Sequence, residues 1–156
     1  MKRENQAKKE IKNQDYTESR RTTYCISQRY GSQPFSEILN NIKGALKKRN
    51  FDILLELNLD EYLKEDVKTM SPHVILSTCN TETAANVLSA DIQSGIFLPC
   101  SITVKEVDQG IIEVSIEDAT VTWAATKNKE LAEIAVNITK TLKEILSEID
   151  QQQMQL

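Results

Sequence analysis

The sequence predicts a two-layer α+β sandwich: one mixed or antiparallel sheet with helices on one face, in the order β-α-β-β-α-β-β-α. Three observations predict it. Short runs rich in β-branched residues recur along the chain, several with period two, as half-buried strands require. Two longer stretches, at 35–46 and 131–149, carry apolar residues at helical spacing. Asp108, Gln109 and Gly110 form a hairpin signal between two of the strand-like runs. Each element has one apolar face to bury, and helices laid over a sheet bury both.

The elements follow in order. Residues 22–29 hold Thr22, Thr23, Tyr24, Cys25 and Ile26 and read as a strand. Pro34 suits the first turn of a helix, where its missing N–H is not needed, and Ser32 is a candidate cap. Phe35, Ile38, Leu39, Ile42 and Leu46 then form one apolar helical face, with Lys47, Lys48 and Arg49 at the negative end of the dipole. Alternation at 51–59 predicts a strand with Phe51, Ile53, Leu55, Leu57 and Leu59 on one face. The charged stretch 60–68 reads as a connector or short helical turn. Residues 73–78 form the next strand, and Asn80 caps a helix over 81–90. Strands follow at 101–107 and 112–116. Residues 119–123 read as an edge strand or extended link. The last helix spans 128–149, with Leu131, Ala135, Ile138, Leu142, Ile145 and Ile149 on one stripe. That stripe packs on its own sheet or, as a heptad-like seam, on a second copy.

At 156 residues the chain fits one domain with a core that needs no metal or disulfide. Residues 22–149 form that domain, 1–21 a disordered charged leader, and 150–156 a frayed polar tail. Seven basic and four acidic groups give 1–21 a balance of +3, which leaves −7 for the rest of a chain whose net charge is −4. An acidic body argues against nucleic acid as a partner. No apolar run approaches the ~18 residues that span a membrane, so a membrane role is not expected. The first residues show no apolar signal core, and three cysteines without tight spacing do not make a disulfide framework. A reducing cytoplasmic location fits both.

The familiar catalytic signatures are missing: no glycine-rich phosphate loop, paired-histidine helix, nucleophile elbow or Cys-x-x-Cys. Cys79 ends a strand just before the cap Asn80, where helix N–H groups would lower a thiol pKa; the alternative is a small buried hydrophobe. Cys100 follows Pro99 at the start of another strand and would share a sheet end with Cys79 if the two strands are neighbours. Cys25 reads as packing. His73 shares the alternation of Ile75, Ser77 and Cys79, but the strand separates it from Cys79 by roughly 20 Å, too far to activate that thiol. Trp123 and Tyr24 read as packing, and Glu56/Asp60 and Glu117/Asp118 as solvated loop ends.

Cys79-Asn80, the following Ala84-Ala85, and Ile96 to Pro99-Cys100 resemble the domain of unknown function 302 family, with the likeness extending over about 22–149. Two positions depart from the family pattern. Thr81 stands where the family has proline, which loosens a cap without removing chemistry. Asn50 stands where it has glycine, which asparagine tolerates at positive φ. The resemblance implies a compact α+β homodimer, names no reaction or cofactor, and makes Cys79, Asn80, Pro99 and Cys100 the candidate thiol or ligand site. Two functional readings follow. One is a cytoplasmic homodimeric module that binds a small molecule or partner without catalysis. The other is a thiol function, by redox sensing, sulfur transfer or cysteine-ligated metal, at Cys79 and Cys100.

Overall fold

The computed structural model describes residues 7–11, 22–31 and 33–149. Among them lie β1 (Cys25–Tyr30), α1 (Phe35–Lys48), β2 (Asp52–Asn58), the one-turn α2 (Leu59–Leu63), β3 (His73–Cys79) and α3 (Thr81–Ala90). A 3-10 turn at Ile92–Phe97 leads to β4 (Cys100–Asp108) and β5 (Ile111–Glu117). The one-turn α4 (Ala119–Thr122), a 3-10 turn at Ala124–Thr126 and α5 (Lys129–Glu148) complete the order. The strands make one five-stranded sheet, β1-β5-β4-β3-β2, antiparallel at every pair. The predicted α+β class and element order are those observed. The Ser32 cap, most of the leader and the tail fall outside the described residues.

The core lies between the sheet and its helices. Val74, Leu76, Ile102, Val104, Ile112, Val114 and Ile116 point from the sheet into it, against Ile38, Ile42 and Leu46 of α1 and Leu131, Ile138, Leu142 and Ile145 of α5. The stripe that could have served a dimer is therefore buried within the chain. Tyr30 is buried and donates its hydroxyl to the Leu146 carbonyl at 2.6 Å, which satisfies its polar tip. Arg49 ties the end of α1 to α5 through Glu144 at 2.7 Å and through Glu148. Gly110, at φ +74°, makes the β4–β5 hairpin turn.

Three local readings need correction. Residues 119–122 are helical rather than extended, with Trp123 at the helix end, because Asp118 caps the turn by accepting from Thr120 N–H at 3.1 Å. A bulge between Ile53 and Leu55 breaks the alternation of β2. Phe51 and Ile53 stay on the core side, whereas Leu55 and Leu57, paired with Ser77 and Ile75, turn to the other face. Leu59 begins α2 rather than ending the strand. Within the leader, Lys9 makes a parallel bridge to Val67, its N–H donating to Asp66 O at 2.9 Å and its carbonyl accepting from Lys68 N–H at 3.1 Å.

Candidate functional site

The strand face turned away from the helices is polar where its neighbours pair. Alternation puts Arg29, Ser27 and Cys25 of β1, Glu113, Ser115 and Glu117 of β5, Ser101, Thr103 and Lys105 of β4, and His73 of β3 on that face. Cross-strand register then sets them in rows. His73, Lys105, Glu113 and Arg29 form one; Thr103, Ser115 and Ser27 form the next. A cavity of about 580 Å³ runs along these rows. Its far end is walled by Tyr24, Ile96, Phe97, Pro99 and Thr122.

Glu113 is the centre of this floor. Its side chain is only 4% exposed, although it faces away from the described helices. A buried carboxylate is tolerated only when paired and hydrogen-bonded. Arg29 Nε donates to Oε2 at 2.8 Å, and Lys105 Nζ reaches Oε1 at 3.1 Å. Lys105 also donates to Ser115 Oγ at 3.0 Å and Thr103 Oγ1 at 3.4 Å, so each of its three protons has an acceptor. Ser115 and Ser27 share a hydroxyl bond of 2.7 Å. His73 stands at the row's edge, its backbone N–H donating to Asp60 Oδ1 at 3.1 Å. Burial lowers the His73 pKa, the Lys105 charge lowers it further, and Asp60 opposes both, so the ring is neutral at neutral pH. Glu117 accepts from Thr122 Oγ1 at 2.7 Å near the apolar wall.

β3 and β4 are neighbours, so the four residues nominated from sequence gather at one end of the sheet, but they do not face one site. Pro99 alone among them lines the groove. Cys100 pairs with Thr78 and is buried on the core side, whereas alternation puts Cys79, one residue past Thr78, on the other face. The two thiols are close enough for charge on Cys79 to raise the Cys100 pKa, yet a sheet backbone lies between them. The lowered thiol pKa expected at the α3 start is not found. Burial raises the Cys79 pKa, the backbone contact at Asn80 works against that, and Asp52 adds to it. Burial, with lesser help from Glu117 and Cys79, pushes Cys100 up to about 12. Asn80 is architectural: its side chain accepts from Thr83 N–H at 3.1 Å and donates to the Asn50 carbonyl at 2.9 Å. Thr81 leaves that cap intact. Asn50 sits at φ +61°, the conformation a glycine would take there.

Several groove residues carried no sequence signal. Glu113, Ser115, Thr103 and Lys105 read as the solvent half of an alternating strand, and only the register shows that they converge. Cys25 and Tyr24 line the groove rather than the core, with Tyr24 62% exposed. Glu117, read as a solvated loop end, faces the groove as well. Trp123 is buried packing, its ring 5.7 Å from that of Phe97. Among the described residues no cluster of three or more His, Cys, Asp or Glu side chains could hold a metal. Nor is any described helix long and apolar enough to cross a membrane.

A family model described as domain of unknown function DUF302 matches residues 26–149. The crystal structure of an uncharacterised conserved DUF302 protein from Bacillus stearothermophilus is similar, with 26% identity and a TM-score of 0.76 over 82% of this chain and 99% of that one. The search of curated proteins gave no match.

Proposed function

The chain belongs to the DUF302 family of domains of unknown function, and we propose that it is a binding module that holds a small molecule in the groove on the sheet face opposite the described helices. One observation carries the reading. The groove has a floor of hydroxyl and charged side chains fixed by cross-strand bonds, and an apolar wall at one end. Pockets for small molecules have this make-up and size. The strongest ionisable groups of the floor are engaged with one another, which suits holding a ligand better than moving protons. Amide shifts of the labelled full chain against a fragment panel test it. Shifts gathered on Ser27, Thr103, Lys105 and Ser115 are expected; a panel that leaves these four unmoved overturns the reading.

The same proposal includes a homodimer in a reducing cytoplasm. Leu54 and Leu55 are exposed on the edge strand β2, with Tyr62 close behind, and a second β2 could pair there about a twofold axis. Free Cys25, Cys79 and Cys100 suit a reducing compartment. Light scattering at micromolar concentration should give twice the chain mass, and Leu55→Lys should halve it; a monomer mass for the unaltered chain removes this part. Two facts count against the thiol alternative at Cys79 and Cys100: both thiol pKa values are raised, and the residues occupy opposite faces of the sheet.

A further inference from the structure

We infer that the groove takes a small uncharged molecule with a carbonyl head and an apolar body, the carbonyl oxygen accepting from Thr103 and Ser115 and the body lying toward Phe97 and Pro99. The inference rests on the groove being the binding site, and it adds the ligand's chemical class and direction.

Two hydroxyls set the head. Thr103 and Ser115 stand directly opposite each other on β4 and β5, on the face that floors the groove. Lys105 Nζ donates to both, at 3.4 and 3.0 Å, so each oxygen already serves as an acceptor and keeps its own proton to give. Among the described residues nothing accepts from Thr103 Oγ1. Ser115 shares its other bond with Ser27 at 2.7 Å, and either oxygen can be the donor. With Ser27 donating, Cys25 Sγ at 3.9 Å can supply Ser27 in turn. Ser115 then has both lone pairs filled and one proton free for the groove. Directly opposed side chains on neighbouring strands lie about 5 Å apart. One oxygen that accepts from two donors at about 2.8 Å each, along lone pairs about 120° apart, spans that same distance. A carbonyl oxygen has this shape.

The free donors are neutral, and that sets the charge of the head. Among the described residues Lys105 is the only cation lining the groove, since Arg29 does not line it and His73 is neutral. The three protons of Lys105 go to Glu113, Ser115 and Thr103, so none remains for a ligand. An ionised head would give up its water for neutral hydroxyl bonds alone, which offset the desolvation of a charge poorly and that of a carbonyl well. A hydroxyl head is the weaker match for another reason. It brings a proton of its own to a pair in which Ser115 accepts nothing more. Direction follows from the wall. Ile96 is 83% exposed and Tyr24 62%, and the Phe97 ring is held by Trp123 at 5.7 Å. Covering apolar surface of this kind stabilises an apolar body laid against it. Pro99 and Thr103 are four residues apart, about 13 Å of extended chain, which fits a carbonyl joined to one ring by a short linker.

The test uses the full chain and three probes that differ at the head: 4-phenylbutan-2-one, 4-phenylbutan-2-ol and 3-phenylpropionate, each titrated by amide shifts. The ketone should bind about fivefold more tightly than the alcohol or the acid, with shifts at Thr103, Lys105 and Ser115. Thr103→Val, which removes the donor, should weaken the ketone about fivefold, and Thr103→Ser, which keeps it, should retain most of the affinity. An unaltered amide spectrum away from the groove shows that each variant is folded. Groove shifts with the alcohol or acid bound as tightly as the ketone, or a ketone that binds both variants alike, overturn the carbonyl class while the groove reading stands. Silence from all three probes also overturns the class; the groove itself then stands or falls on the wider fragment panel.

Discussion

Glu113 sits on the sheet face turned away from the described helices, yet it is as hidden as a core leucine. Arg29 and Lys105 hide it, one from each neighbouring strand, and their stems cover what their charges pair with. Glu113→Gln leaves two cations facing each other without their common partner. We expect it to destabilise the fold by about 3 kcal/mol in urea unfolding followed by Trp123 fluorescence. A loss below about 1 kcal/mol would mean that water screens the pair as at an open surface. Asn50 offers a second residue-level test. At φ +61° an alanine is strained, so Asn50→Ala should cost about 1 kcal/mol, whereas Asn50→Gly should be close to neutral. Equal losses from both would place the importance of Asn50 in its side chain instead of its backbone.

At the level of elements, strong periodicity was legible and its local interruptions were not. α5 shows its buried stripe openly in sequence, because one helical face meets one sheet. Leu142→Ala within that stripe should cost about 3 kcal/mol at any protein concentration, since its neighbours belong to the same chain. A cost that grows on dilution would mean that α5 also stabilises a dimer. β2 misleads by its leucines. Its five apolar residues alternate perfectly on paper, but the bulge at Ile53/Leu55 turns the strand over halfway, and nothing in residue type marks a bulge there. Residues 119–122 mislead in the other direction. Threonine and valine favour strands, yet the Asp118 cap and the buried Ala119 commit them to a helical turn. The groove was hidden for a related reason. Alternation tells which residues leave the core, but only strand order tells that Arg29 and Lys105, 76 positions apart, both flank Glu113.

Over the whole molecule, the half-buried His73 and the buried Cys100 bear on the pH range of stability from opposite sides. The folded pKa of His73 lies below its ordinary 6.5, so the unfolded chain binds the extra proton first as pH falls. Its contribution is full above about 6.5 and is lost toward acid. Cys100 acts from the other side. Its folded pKa stands at about 12 against an ordinary 9.0, so the unfolded chain gives up the proton first as pH rises. Stability is full below 9.0 and falls by up to about 1.4 kcal/mol per pH unit above it, with Cys79 adding to the slope. Urea midpoints should therefore be flat near pH 7–8 and decline on both sides. His73→Gln should flatten the acid limb and Cys100→Val the alkaline one; a limb unchanged by its variant belongs to other groups.

The pairing of β1 with β5 has a consequence for how the chain is made. Cys25 lies opposite Glu117 and Tyr30 opposite Ile112, so the first strand finds its partner only among residues synthesised near the end. During translation β2, β3 and β4 can pair in sequence, while β1 has no strand partner until β5 emerges. The groove spans that last seam, with Ser27 and Arg29 on one side and Ser115 and Glu113 on the other. Whatever the groove holds can be held only after the two ends of the domain have met, so binding competence reports that synthesis has reached β5 and the sheet has closed.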